Sequence, residues 1–193
     1  MTTHRIFVLL ATLLTVGTAR ADKRDPVVAE QLFNEGRTAL DQRDYIVACK
    51  KFAESHRLDP AAGTLMNRAT CEQRRGRIAT AWQLWREALD QLDPNDNRVP
   101  FVRSQIQALE PRIPRLTLRP ATPLSAQVSV YRDGVRLGES SLDVPLRVDP
   151  GSHVIVVRAR GHADQLYRLD LSEREQRALA VSVGRELPRS KSG

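Results

Sequence analysis

The first half of the chain carries apolar and small residues at helical spacing, in segments separated by polar breaks. Asp25 before Pro26 predicts a helix start, because aspartate accepts a backbone hydrogen bond there and the missing N–H of proline needs no partner. Asp44 predicts the start of a second helix, and Asp59-Pro60 predicts its end. The two apolar stripes are formed by Leu32, Gly36, Ala39 and Leu40, and then by Tyr45, Ala48, Phe52 and Ser55. Together these segments predict an antiparallel helical hairpin.

The hairpin pattern repeats farther along the chain at a fixed offset of 33 residues. The matching pairs are Ala48 and Ala81, Phe52 and Trp85, Ser55 and Ala88, and Arg43 and Gly76. Two repeats leave one end of the stack uncovered, so a further helix is needed there. A stripe suited to that role consists of Phe101, Val102, Ile106 and Leu109. We therefore predict about five helices.

These helices resemble tetratricopeptide repeats, whose pattern combines small residues, one large aromatic residue and a closing proline. The first unit matches with Gly36, Ala48, Phe52 and Pro60, and the second with Ala69, Ala81, Trp85, Ala88 and Pro94. The resemblance covers residues 29 to about 95. It implies a tetratricopeptide-like helical domain over residues 22–110, with a concave face built mostly from the first helix of each hairpin.

After Pro111 the pattern changes to the alternation typical of β-strands. Asp133-Gly134 predicts a two-residue hairpin turn. About seven short strands are expected, marked by Leu116 and Leu118, Val128 and Val130, Val135 and Leu137, Leu146 and Val148, His153 to Ala159, Tyr167 to Leu171, and Leu179 to Val183. Such a series favours a small sandwich or barrel, so the fold class of the chain is predicted to be α+β.

The β half resembles the PEGA domain, a small β-sandwich of exported bacterial proteins. The segments on which this resemblance rests are Val130 to Gly138, Val144-Pro145-Leu146, Asp149 to His153, and Gly161-His162. The resemblance implies a sandwich over residues 114–184, followed by a polar tail at 185–193. Together with the repeats, it makes the chain similar to exported proteins of myxobacteria and their relatives, for which no catalysis is implied.

The amino terminus predicts export. A basic start, an apolar run from Ile6 to Val16 and the small-residue site Ala19-Arg20-Ala21 form a signal peptide over residues 1–21. A run of about a dozen residues is shorter than the roughly 20 that span a membrane, so the mature chain is not expected to be membrane-spanning. Its compartment would be the periplasm or the outside of the cell.

The chain is basic, with a formal net charge of +7 that falls to +5 when Arg5 and Arg20 leave with the signal. In an exported protein this charge points to anionic envelope polymers as partners, and not to nucleic acid. The alternative is a well-solvated surface, because acidic and basic residues are interspersed nearly everywhere.

Two cysteines, Cys49 and Cys71, lie 11 residues on either side of Pro60, so they sit at the same height of a hairpin of antiparallel helices. A disulfide is expected there, because exported proteins form such bridges. Two buried free thiols are the alternative.

The sequence offers little chemistry. The histidines lack ligand partners at metal spacing, and no catalytic or phosphate-binding motif occurs, so no enzyme activity, cofactor or metal is expected. His153 lies on the inner face of a predicted strand, where a hydrogen-bonded structural role is expected. The acidic groups Asp90-Asp93-Asp96 and Glu173-Glu175 lack the glycine-bent loop of a calcium site.

The remaining candidates for a functional site are binding surfaces. On the concave helical face, Arg37, Asn67 and Arg74 can hold a carboxylate or an extended peptide, or they are ordinary solvated residues. We expect a non-enzymatic interaction or assembly module of the cell envelope with a protein partner. The alternative is a carbohydrate- or peptidoglycan-binding protein that acts through the β-sandwich and its exposed edges.

Overall fold

A computed structural model describes residues 24–122 and 127–188 of the chain. Five helices come first: α1 (Pro26–Asp41), α2 (Tyr45–Leu58), α3 (Ala62–Arg74), α4 (Ile78–Asp90) and α5 (Val99–Leu109). A 3-10 turn, Glu110–Arg112, leads into the β part. The seven strands are β1 (Arg115–Pro120), β2 (Val128–Arg132), β3 (Val135–Leu137), β4 (Leu146–Arg147), β5 (Gly151–Ala159), β6 (Gln165–Leu171) and β7 (Gln176–Val181). The α+β class is therefore confirmed. The predicted signal peptide lies outside the described residues.

The helix starts of the first hairpin follow from local sequence. The Asp25 side chain accepts a hydrogen bond from the Val28 backbone N–H at 3.1 Å, and Asp44 does the same for Val47 at 3.1 Å. Both caps were predicted, because aspartate at this position satisfies one of the free N–H groups of the first turn. Helix α2 ends at Leu58, immediately before the predicted stop at Asp59.

The helical core is built on the predicted small and aromatic positions. Phe52 and Trp85, which are related by the 33-residue offset, are both almost completely buried, as are Ala48 and Ala81. The buried side of α5 covers α4 through Val102 and Leu109. Phe101 was expected to belong to that buried stripe, yet it is 51% exposed. Its ring meets Trp85 edge-on, with 5.7 Å between the ring centroids.

The strands form two sheets. One has the order β4-β1-β7, in which β1 and β7 run parallel, and the other has the order β3-β2-β5-β6 and is antiparallel throughout. The predicted hairpin joins β2 to β3, where Asp133 and Gly134 both have positive φ angles, 50° and 82°. Two such residues make a type I′ turn, whose twist suits the flanking strands.

Both sheets contribute to one apolar core. The three-stranded sheet contributes Leu116, Leu118 and Val181, and the four-stranded sheet contributes Ile155 and Val157, all of them fully buried. Residues 185–187, assigned from the sequence to a polar tail, pair with the segment after β5. The Ala163 N–H donates to the Arg185 carbonyl at 2.9 Å, and the Leu187 N–H donates to the Gly161 carbonyl at 2.8 Å.

Candidate functional site

The first turn of α4 is capped by the β part of the molecule. Arg77, at the cap position, provides no side-chain acceptor for the helix. Asp149 supplies it instead: its carboxylate accepts hydrogen bonds from the Thr80 backbone N–H at 2.9 Å and from the Thr80 hydroxyl at 2.6 Å. Arg77 Nε donates to the same carboxylate at 3.1 Å. Because this one side chain satisfies the end of α4, it fixes the helix against the turn before β5.

A second contact lies farther along α4. The Arg147 guanidinium lies over the Trp82 ring, 4.5 Å from its centroid, and it also donates to Glu110 Oε1 at 2.8 Å. Arg115 donates to the same oxygen at 2.8 Å. Burial raises the pKa of Glu110, but the hydrogen bonds and charges of Arg147 and Arg115 outweigh burial and leave that pKa lowered.

A third contact ties the 3-10 turn to the loop between β6 and β7. Arg112 donates to both carboxylate oxygens of Glu173, at 2.9 and 2.7 Å. The hydrogen bond from Arg112 lowers the pKa of Glu173. Such two-point pairing fixes orientation as well as distance. Ion pairs thus flank the junction, and the helical and β parts meet in a defined arrangement.

An open cleft of about 1060 Å³ lies where α4 faces the β part. Arg68 of α3 and the Trp82 side of α4 form one wall, and the β2–β3 hairpin, β4 and the start of β5 form the other. A smaller cleft of about 450 Å³ lies nearby, between the 3-10 turn and the β6–β7 loop, and includes Glu110 and Arg174.

His153 lines the large cleft but is itself buried, with 8% of its surface exposed. Its Nδ1 lies 2.7 Å from Asp133 Oδ2, and its Nε2 lies 2.7 Å from the Asp149 carbonyl oxygen. Because a carbonyl oxygen only accepts, Nε2 carries the hydrogen of that contact. Asp133 also accepts from the Val154 backbone N–H at 2.9 Å. His153 therefore braces the hairpin turn against the turn that holds Asp149.

Unpaired hydrogen-bond donors are concentrated at the large cleft. Within residues 24–122 and 127–188, four buried side-chain nitrogens have no hydrogen-bond partner, and three of them belong to residues that line this cleft. They are Arg68 Nε, Trp82 Nε1 and Arg132 Nε. The nearest approach recorded for Arg132 Nε is 3.7 Å to Asp133 Oδ2, which is too long for a hydrogen bond. Native proteins rarely leave buried donors unpaired, so three at one cleft call for an explanation.

The three residues predicted to bind a partner lie elsewhere. Arg37 is exposed on α1, and Arg74 is exposed at the end of α3. Asn67 is half-buried and donates to the Gly63 carbonyl of its own helix at 2.9 Å. Neither of the two clefts is lined by any of them, and no described hydrogen bond or ion pair joins them.

The predicted cysteine pair is bonded in the structure. Cys49 of α2 and Cys71 of α3 form a disulfide with their Cα atoms 5.6 Å apart. This distance is typical of such bridges. The disulfide joins the two helical hairpins on the side away from the turn at Pro60.

Three of the five carboxylates weighed as cation-site ligands are engaged by arginines. Hydrogen bonds from the side chain and backbone of Arg98 lower the pKa of Asp96 to about 2. Glu175 pairs with Arg177, and Glu173 with Arg112. In the described part of the chain, no cluster of three or more histidine, cysteine or acidic side chains is arranged to hold a metal. In the same part, every helix falls short of the length and hydropathy needed to cross a bilayer.

Sequence reasoning missed the cleft and the role of Asp149. One signal was present: α4 begins after Arg77, which has no acceptor side chain to cap the helix, and this left its first N–H groups open to an acceptor from elsewhere. Compared with known proteins, the chain matches no family model and no curated protein.

Proposed function

We propose that the chain is an exported, non-enzymatic assembly module of the cell envelope, which binds a protein partner in the cleft between α4 and the β part. The observation that carries this proposal is the set of three buried donors, on Arg68, Trp82 and Arg132, that have no acceptor in the described residues. Each nitrogen is covered by protein in the free structure, so a bound partner supplies the acceptors as these side chains turn toward the cleft, and this removes the cost of leaving the donors unpaired.

The arrangement of the junction supports a binding role. Asp149 and Arg147 both line the cleft and hold the β part against α4, so its walls exist before any ligand arrives. A preformed site loses less conformational entropy on binding than one that must close. The lining is polar, with several cationic side chains, and this suits recognition of a charged partner.

The proposed family relationships agree with this role. Two hairpins, α1–α2 and α3–α4, place Phe52 and Trp85 at equivalent buried positions, which supports tetratricopeptide-like repeats. Two sheets around one core, with an Asp-Gly hairpin and the Pro150-Gly151 turn before the longest strand, support a PEGA-like sandwich. A disulfide between α2 and α3 supports an oxidising compartment, in line with the proposed export.

Site-specific photo-cross-linking in cells that naturally produce the protein tests the proposal. A photoreactive residue at Gln83, which is exposed at the cleft, is compared with one at Arg103, which is exposed on α5 and lines neither cleft. We expect position 83 to give an adduct with one defined envelope protein that position 103 does not give. This adduct should disappear when Arg68→Met and Arg132→Met are added. Identical products from both positions would contradict a partner site at the cleft.

Binding of the purified protein to isolated cell walls tests the carbohydrate alternative. Mature protein is mixed with purified cell-wall sacculi at low and at moderate salt, and the bound fraction is measured. The proposed function predicts retention that is lost at moderate salt, because only exposed charges take part. If retention survives moderate salt and is abolished by changes in the β part, the ligand is peptidoglycan and not a protein partner.

A further inference from the structure

We propose that the ligand of the large cleft is an extended acidic peptide segment, whose carboxylates accept hydrogen bonds from Arg68, Trp82 and Arg132. This inference rests on the proposed function and names the chemistry of the partner. Its starting point is the imbalance between donors and acceptors in the cleft wall.

The acceptors of the cleft are already occupied. The Asp149 carboxylate takes three hydrogen bonds, from the two groups of Thr80 and from Arg77. Asp133 accepts from the Val154 N–H and lies 2.7 Å from His153 Nδ1, and Glu87 accepts from the Gln83 side chain at 3.1 Å. A ligand that brings mainly donors therefore finds few free acceptors among these carboxylates.

The donors are not occupied. The Arg68 side chain forms none of the described ion pairs, and its buried Nε has no hydrogen-bond partner, although a guanidinium carries five N–H groups. Trp82 is 7% exposed and its indole N–H is unpaired, so this side chain is more than nine-tenths buried and still lacks its acceptor. Carboxylates accept such hydrogen bonds and neutralise arginine at the same time, which makes them the best-matched ligand groups.

The cleft borders two edge strands, and this favours a polypeptide backbone. Val135 of β3 and Leu146 of β4 both line it, and each strand is the last of its sheet, in the orders β3-β2-β5-β6 and β4-β1-β7. Edge strands present backbone N–H and C=O groups that an extended peptide pairs with directly. The volume of about 1060 Å³ also suits a peptide segment better than a single small ion.

The geometry of Trp82 argues against a sugar in the same place. Carbohydrate sites use exposed aromatic faces, whereas the guanidiniums of Arg147 and Arg86 lie over the Trp82 ring at 4.5 and 5.0 Å from its centroid. The ring is thus engaged by cations, and its N–H is the group left without a partner. A peptide that bears carboxylates pairs its backbone with the edge strands and accepts hydrogen bonds from the free donors.

Calorimetric titration of the full mature chain at fixed ionic strength tests this inference. The probes are an octapeptide of alternating glutamate and glycine, its glutamine counterpart, and an oligogalacturonate with the same number of carboxylates. We expect the glutamate peptide to bind at least about tenfold more tightly than either of the others. Equal binding of the glutamine peptide would overturn the carboxylate assignment, and equal binding of the oligogalacturonate would overturn the peptide assignment.

Variants locate the binding and separate it from folding. Arg68→Met and Arg132→Met are each expected to lower the affinity for the glutamate peptide by about tenfold. Arg103→Met makes the same change of charge outside the cleft and should leave that affinity within about twofold of the wild-type value. Arg68→Met removes none of the described hydrogen bonds or ion pairs, and Arg132→Met removes the long ion pair with Asp133 at 3.7 Å, so both should unfold close to the wild-type urea concentration. An equal loss of affinity in Arg103→Met would overturn the site.

The two proposals fail in different ways. If the glutamate peptide does not bind but the cross-link at Gln83 to one envelope protein persists and still requires Arg68 and Arg132, the acidic peptide is wrong and the assembly role stands. If the peptide binds with the expected specificity but Gln83 captures no envelope protein, the ligand chemistry stands and the assembly role is wrong.

Discussion

At the scale of single residues, the close approach of α1 and α2 depends on the absence of a side chain at Gly36. A Cβ atom added there would lie 2.8 Å from Cε1 of Phe52. Phe52 is completely buried and tilts against Phe33, with 5.7 Å between the ring centroids, so its ring has little room to move. Glycine in a helix normally costs stability, and here the packing outweighs that cost.

We expect Gly36→Ala to lower the free energy of unfolding by about 1–3 kcal/mol, as is typical when a packed core is overfilled. Gly63→Ala is the matched control. Gly63 also lies in a helix, but the nearest atom to its added Cβ is 4.0 Å away, on the Arg98 side chain. The control should raise stability by up to about 1 kcal/mol through helix propensity. Urea denaturation measures both, and stabilisation by Gly36→Ala would contradict the proposed packing.

At the scale of elements, α4 takes its cap from a residue 69 positions later in the chain. We expect Asp149→Ala to destabilise the protein by about 2 kcal/mol or more, because it removes the cap of α4 and the ion pair with Arg77 together. Asp25→Ala is the control, since it removes a cap with a single hydrogen bond at the start of α1. Hydrogen exchange should speed up at the first turn of α4 and in β5 for Asp149→Ala, and only at α1 for the control. Unchanged exchange in α4 would show that the cap is not needed.

How far the sequence predicts an element depends on how local its causes are. The caps at Asp25 and Asp44 and the Asp133-Gly134 turn are all decided by residues within a few positions of one another, and all three are confirmed. The Cys49–Cys71 bridge was within reach because one turn fixes the register of two helices. The buried face of β5 also followed from simple alternation.

The cleft could not be predicted from the sequence, because the contacts that form it are not local. Asp149, Arg147 and Trp82 meet only because the β part docks on α4, and no periodicity in the sequence encodes that contact. The sequence pointed instead to Arg37 and Arg74, chosen from the expected concave face of the helices. The parallel pairing of β1 with β7 is a similar long-range event, since these strands lie at opposite ends of the β part.

At the scale of the whole molecule, the junction depends on ionised carboxylates. Glu110 pairs with Arg147 and Arg115, and Glu173 pairs with Arg112. The pKa of each of these two carboxyl groups lies below its ordinary value of 4.5. A lowered pKa in the folded state means that the folded protein holds its proton less tightly than the unfolded chain does. The resulting stability is fully present above the ordinary value and is lost as the pH falls through the lowered pKa.

We therefore expect the free energy of unfolding to fall as the pH drops below about 4.5, and Glu110→Gln and Glu173→Gln to make that fall shallower. Each ion pair is partly exposed, so each variant should cost no more than about 1 kcal/mol at neutral pH. Glu139→Gln is the control, because Glu139 is exposed and makes no ion pair with the described residues. Urea denaturation between pH 3 and pH 7 measures the slopes. The decisive comparison is the slope of the unfolding free energy against pH in the double variant Glu110→Gln and Glu173→Gln. If this slope is as steep as in Glu139→Gln, acid destabilises the protein at groups outside this junction.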